Sequence, residues 1–164
     1  MVLIGLGSNL GASSGIIEKA FSALESLADG TMLTSGLWRT SPVDCPPESN
    51  DFVNAAATFP CALEPLELLR KLKHLERQFG RGVPVARNAP RELDLDLLLY
   101  GDTQFEVSEL TLPHPRAIQR RFVLAPAAQI VPELVWPGTG RSVQQLLDAL
   151  ESDEVVHLIQ DAGA

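Results

Sequence analysis

Asp94 and Asp96 stand in the run Leu93-Asp94-Leu95-Asp96-Leu97, where acid and leucine alternate strictly. A strand repeats every two residues, so an extended backbone sends both carboxylates to one face and the leucines to the other. The two Cα atoms would then lie about 7 Å apart. Like charges held that close repel, and a hard divalent cation such as Mg²⁺ relieves the repulsion. A solvated strand face gives the same alternation, and the pair alone does not decide between these readings. The neighbouring cations add a second fact. Arg91 lies three residues upstream, and Arg81 and Arg87 occupy the Gly- and Pro-containing stretch before it. Carboxylates able to hold Mg²⁺ beside guanidinium groups suit a polyphosphate, because metal and arginines share in neutralising its charge.

Two further constellations carry polar chemistry. In Thr111-Leu112-Pro113-His114-Pro115-Arg116, followed by Arg120-Arg121-Phe122-Val123-Leu124, a histidine is presented between prolines and arginines supply phosphate donors. A loop histidine is more often structural than catalytic, so His114 is assigned a phosphate contact and not the role of general base. The other constellation joins Trp38-Arg39-Thr40-Ser41-Pro42-Val43 to Asp51-Phe52-Val53-Asn54-Ala55-Ala56. The Asn54 amide offers a donor and an acceptor, which can read the amide edge of a planar heterocycle while an aromatic ring stacks on its face. Phe52 taken alone fits a core position better than a stacking platform, and spacing does not name the ligand.

These residues need a scaffold, and 164 residues at 45% hydrophobic composition can bury one sizeable core, which argues for a single domain over residues 1–164. A net charge of -8 and 5% aromatic content argue against a nucleic-acid surface, which would want a basic, aromatic-studded sheet. The average hides an asymmetry. Residues 70–91 hold seven cations against Glu76 alone, whereas residues from 122 onward hold six acids and the single cation Arg141. A concentrated positive field on an acidic protein suits a small polyanion. No apolar run reaches the roughly 18 residues of a membrane helix, and no secretory signature follows Met1, so a cytoplasmic, non-membrane protein is expected. Cys45 and Cys61 are isolated and are assigned no chemistry.

Periodicity supplies the elements. Residues 2–6 read as a buried strand leaving through the glycine-rich run 5–11, and a helix is expected from 13 or 14 to about 28. Residues 31–40 and 52–59 read as strands on either side of a Pro-rich loop. A second helix opens at Glu64-Pro65 and stops at Gly80, and residues 93–100 form the next strand. The succession strand, helix, strand, strand, helix, strand is that of a ferredoxin-like α+β sandwich, βαββαβ. Beyond Gly101 the expectation is a loop, helices at 121–130 and 142–150, and a last strand at 155–159.

The ordered motifs resemble those of the 6-hydroxymethyl-7,8-dihydropterin pyrophosphokinase family of folate biosynthesis. The likeness runs from residue 4 to about 137. It rests on Gly5-Leu6-Gly7-Ser8-Asn9-Leu10-Gly11, Arg39-Thr40-Ser41-Pro42, Asp51-Phe52-Val53-Asn54-Ala55-Ala56, Gly80-Arg81, Pro90-Arg91-Glu92-Leu93-Asp94-Leu95-Asp96, Pro113-His114-Pro115-Arg116 with Arg121-Phe122-Val123-Leu124, and Pro132-Glu133-Leu134. The resemblance implies transfer of the β,γ-diphosphate of ATP to the pterin hydroxymethyl oxygen, with release of AMP. It implies Asp94 and Asp96 as ligands of two Mg²⁺ ions, and Arg81 and Arg91 as phosphate-clamping arginines that complete the catalytic set. It adds Arg87, Leu97, Thr111, His114 and Arg120 as ATP contacts, with Glu76 near the nucleotide. Phe52 and Phe122 are implied as the aromatics that sandwich the pterin, Asn54 as the reader of its amide edge, and Thr40 and Val43 as the rest of its pocket. Small molecules are then the only partners expected of a monomer, with neither nucleic acid nor membrane among them. Asn88 and Lys73 depart from the tryptophan and glutamine that many members carry there. A non-catalytic Mg²⁺- and nucleotide-binding module on the same fold is the rival reading, and it would not produce AMP.

Overall fold

The computed structural model describes residues 1–8, 13–40, 52–81 and 93–160. Its elements are β1 (Val2–Ser8), α1 (Ser13–Glu25), β2 (Leu33–Thr34), β3 (Leu37–Thr40), β4 (Phe52–Phe59), α2 (Pro65–Glu76), β5 (Asp94–Tyr100), β6 (Phe105–Val107), β7 (Leu110–Leu112), α3 (Arg121–Ile130), β8 (Val135–Trp136), β9 (Arg141–Ser142), α4 (Val143–Ala149) and β10 (Val156–Gln160). Helices and sheet are mixed. The main sheet runs in the order β10-β3-β4-β1-β5, with β2 also paired to β4, and every pairing is antiparallel.

Local sequence explains most boundaries. Pro65 sits at the start of α2, where its missing N–H costs nothing, and Leu68, Leu72 and Glu76 recur every four residues on its buried face. Ser142 and Gln145 form a reciprocal capping box that starts α4. The helix expected up to residue 28 ends at Glu25, and residues 26–28 continue as turns in which each N–H bonds the carbonyl three residues back. The stretch expected as one strand over 31–40 is two. Ser35 interrupts it by accepting the Ala56 N–H with its hydroxyl (2.8 Å), a bond a backbone carbonyl would otherwise make. The loop expected after Gly101 contains the β6–β7 hairpin.

Alternation divides the sheet between two cores. Ile4, Leu6, Ala55, Ala57, Leu95 and Leu97 face α1 and α2. Leu3, Ala56, Leu98 and Leu99 face α3 and α4. The register of β1 against β5 shifts between Leu3 and Ile4, so that Leu98 and Leu99 both reach the second core. Beyond the cover of α3, the second face continues toward Asp94, Asp96, Gly5, Gly7 and Asn54.

Candidate active site

The floor of the site is the pair of side-chain-free positions on β1. Gly7 lies opposite Asp94 on one side and Asn54 on the other, and Gly5 lies opposite Asp96 and Ala56. Neither glycine has spare room for a side chain. A Cβ on Gly7 would sit 3.1 Å from Asn54 Nδ2, and one on Gly5 would sit 3.3 Å from Leu98 Cδ1. The result is a trough with two carboxylates on one bank and a carboxamide on the other. Adjacent strands lie roughly 4.8 Å apart, which separates Asp94 and Asn54 by about 10 Å.

The expected face of Asp94 and Asp96 is observed: both are half-buried on the trough side while Leu95 and Leu97 are buried behind them. β5 is an edge of the sheet, and Glu76 steadies it from α2. The Leu95 N–H, midway between the two aspartates, donates to Glu76 Oε2 (2.8 Å), and Lys73 Nζ lies 3.5 Å from Glu76 Oε1. Glu76 is itself 2% exposed, so this carboxylate holds the backbone that presents the aspartates. Glu76→Ala removes the acceptor and leaves a buried N–H unsatisfied, which costs about 1–3 kcal/mol. Urea unfolding should show that loss, and Glu76→Gln should recover most of it.

His114 lies beside Asp96, tied to β5 through Leu98. Its N–H donates to the Leu98 carbonyl (2.9 Å), and its Nδ1 accepts the Arg116 N–H (3.2 Å). With Nδ1 an acceptor, the neutral ring carries its proton on Nε2. Burial lowers the His114 pKa, the Asp96 charge opposes that shift, and the Arg120 and Arg116 charges reinforce it. The net direction is downward from the ordinary 6.5. A depressed histidine pKa contributes stability that is present above 6.5 and lost as pH falls through the folded value. Proton NMR of the metal-free protein should place the His114 midpoint below 6.5, and His114→Asn should lessen the loss of stability on acidification.

An open cavity of about 240 Å³ adjoins Asp96, lined by Leu69, Lys73, Leu95, Leu97, Thr111, His114 and Pro115 together with Ser108, Glu109 and Leu110 of the hairpin. It brings together Asp96, Leu97, Thr111 and His114, all named from the sequence. Ser108, Glu109 and Leu110 were missed. Their signal is the alternation of Phe105-Glu106-Val107 and Leu110-Thr111-Leu112 around a two-residue link.

On the opposite bank, Thr40 Oγ1 donates to Asn54 Oδ1 (2.8 Å), both residues being buried. That bond turns the Asn54 Nδ2 toward Gly7 and the trough. Phe52 pairs with Thr40 across β3 and β4, and Phe122 packs from the first turn of α3 onto the second core. Arg120 Cζ stands 5.6 Å from the centre of the Phe122 ring, within reach of a cation–π contact. Val43, Arg87 and Arg91 lie outside the described residues, and Arg81 closes the π-type turn Arg77–Arg81 with only its backbone described. Among the described residues no three His, Cys, Asp or Glu side chains cluster as a metal cage. Two carboxylates over a glycine floor nevertheless fit Mg²⁺, which keeps several waters and takes few protein ligands.

The profile of the 7,8-dihydro-6-hydroxymethylpterin-pyrophosphokinase (HPPK) family matches residues 3–132. The chain belongs to this family. It is 37% identical over 153 residues to a 2-amino-4-hydroxy-6-hydroxymethyldihydropteridine pyrophosphokinase of Synechocystis sp., covering 93% of this chain and 77% of the relative. A pyrophosphokinase of the same description from Pseudomonas aeruginosa is 36% identical over 158 residues, 96% of each chain. In fold, the HPPK chain is similar to a crystal structure of an HPPK-DHPS protein in complex with substrates, with a TM-score of 0.73 at 12% identity, over 90% of this chain. It spans 42% of that longer protein. No helix among the described residues is long and apolar enough to cross a membrane.

Proposed function

We propose that this HPPK chain transfers the β,γ-diphosphate of ATP to the hydroxymethyl group of 6-hydroxymethyl-7,8-dihydropterin, yielding the pterin diphosphate and AMP in folate biosynthesis. The observation that carries the proposal is the trough. Asp94 and Asp96 share one sheet face with the Thr40–Asn54 pair, one glycine-bearing strand apart. A polyanion bound at the carboxylate bank and a heterocycle read at the amide bank would meet over Gly5 and Gly7.

In the reaction, the hydroxymethyl oxygen bonds to the β-phosphorus, the bond from that phosphorus to the α,β-bridging oxygen breaks, and the hydroxyl proton leaves to solvent. Mg²⁺ held by Asp94 and Asp96, two ions on the family pattern, would supply positive charge to the triphosphate. Asn54 orients the ring through its amide, and Phe52 and Phe122 offer faces for stacking. His114, neutral with its proton on Nε2, donates to a phosphate oxygen. Arg120 adds positive charge on the same side, and Arg81, Arg87 and Arg91 complete the clamp. Leu97 and Thr111 line the nucleotide side, with Glu76 holding the strand behind. Positioning and charge stabilisation carry transfers of this kind, so no side chain need act as a strong base.

The frame β1-α1-β3-β4-α2-β5 supports a ferredoxin-like reading, since its strands lie in the order β3-β4-β1-β5 with both helices on one face. The six-stranded main sheet, covered by α1 and α2 on one face and by α3 and α4 on the other, supports a single catalytic domain. The test of the function is AMP release from ATP and Mg²⁺ with and without 6-hydroxymethyl-7,8-dihydropterin. Pterin-dependent AMP is the expected result, and AMP that appears equally without pterin rejects the reading.

A further inference from the structure

The C-terminal segment reaches both walls of the heterocycle site. Arg121, the first residue of α3, directs its guanidinium at this segment: Nη1 donates to the carbonyls of Ser152 (3.2 Å) and Glu154 (2.8 Å), and Nη2 donates to that of Leu150 (3.2 Å). In the other direction, Glu154 Oε2 accepts the Phe122 N–H (3.2 Å). The first N–H groups of a helix need acceptors from outside it, and Arg120 at the cap position makes no side-chain capping bond. Glu154 fills that need from a remote part of the chain, and its charge meets the positive end of the helix dipole. Ser152 Oγ accepts the Glu154 N–H (3.1 Å), which fixes the turn carrying the carboxylate.

Two residues later the same segment joins the other wall. Val156 begins β10 and pairs with Thr40, the residue that donates to Asn54 and lies opposite Phe52. One short stretch of chain therefore bonds the backbone of Phe122 and the strand of Thr40.

We propose that Arg121 and Glu154 form a latch through which the C-terminal segment sets the distance between the Phe122 wall and the Thr40–Asn54 wall. Both are positioning residues for the heterocycle, and neither touches substrate. The proposal rests on the reading that Phe52, Asn54 and Phe122 bind the pterin. Phe122 is borne on the first turn of α3, the part of a helix that frays when its N–H groups lose their acceptors. Opening the latch displaces one wall while the carboxylate bank, built on β1 and β5, stays in place.

The experiment measures kcat, KM for each substrate, and pterin affinity by titration calorimetry on the full chain. Glu154→Ala should raise the pterin KM and Kd about 5- to 10-fold, the scale of a lost cap, with the ATP KM within about twofold. Glu154→Gln keeps an acceptor without the charge and should give a smaller rise, so it stands in if the alanine variant folds poorly. Arg121→Ala should match Glu154→Ala. The double variant should lose no more than the worse single, because a latch open at one end has nothing left to hold. Asp153→Ala, an exposed neighbouring carboxylate, should leave all constants unchanged. Pterin affinity within twofold of wild type in Glu154→Ala and Arg121→Ala overturns the proposal, as do equal rises in both KM values. Failure of the wild type to form pterin-dependent AMP would instead overturn the underlying functional reading.

Discussion

Asp96→Asn should lower pterin-dependent AMP formation by about 10²- to 10³-fold at saturating Mg²⁺, the range seen when one preorganised electrostatic group is removed from an active site. The substitution keeps the shape of the side chain and removes only its charge. Asp96 is half-buried above Gly5 and borders the cavity shared with Lys73, Thr111 and His114. Loss there strikes the point where a bound triphosphate would meet the trough. The fold should not suffer. Leu95 and Leu97 keep β5 in the first core, and the Leu95 N–H keeps its bond to Glu76. Removing one of two repelling carboxylates should leave the metal-free melting temperature equal to or slightly above that of the wild type. Mg²⁺ titrations should also show a weaker dependence of nucleotide binding on the metal. Turnover near the wild-type level would remove Asp96 from the metal site.

The frame around that residue was legible because its signals are local. Strict alternation predicted the face of Asp94 and Asp96, and apolar residues at helical spacing predicted α2, on which Leu68, Leu72 and Glu76 are buried. Pro65 marked where that helix begins, whereas Gly80, expected as its stop, lies inside the π-type turn Arg77–Arg81 that follows the end of α2 at Glu76. What stayed hidden depends on pairs distant in sequence. The family resemblance puts Glu76 near the nucleotide, but its hold on the β5 backbone shows only when Leu95, nineteen residues on, proves to be its partner. Glu154 sits in an acidic tail with no motif, yet it closes a helix end thirty-two residues earlier. The β6–β7 hairpin escaped because its strands are three residues each and its link, Ser108-Glu109, lacks the glycine or asparagine that marks tight hairpins. The strand expected over 2–6 stops short of Gly7, whereas β1 runs to Ser8 and carries both Gly5 and Gly7 as the floor of the trough.

That floor explains why Asn54 should be the more selective target. Asn54 is 7% exposed, and its amide accepts from Thr40 through Oδ1 and holds Nδ2 over the space a Gly7 side chain would need. The orientation is therefore set before any ligand binds, and the carboxamide can present its donor to a ring lying in the trough. Asn54→Ala should lower kcat/KM for the pterin by about 10²-fold, because a site built to hydrogen-bond a ligand loses far more than contact area when one partner disappears. The KM for ATP should stay within about twofold, since β4 and the carboxylate bank are separated by β1. Stability should fall by only about 1 kcal/mol, the cost of leaving the Thr40 hydroxyl without its acceptor. Gly7→Ala should shift the pterin constants in the same direction while leaving Asn54 chemically intact, because the new methyl would crowd Nδ2 at 3.1 Å. Steady-state kinetics with each substrate varied in turn separate the outcomes. A pterin KM unchanged in both variants would mean that the ring does not lie over β1, and an ATP KM raised as much as the pterin KM would mean that the two banks are not independent.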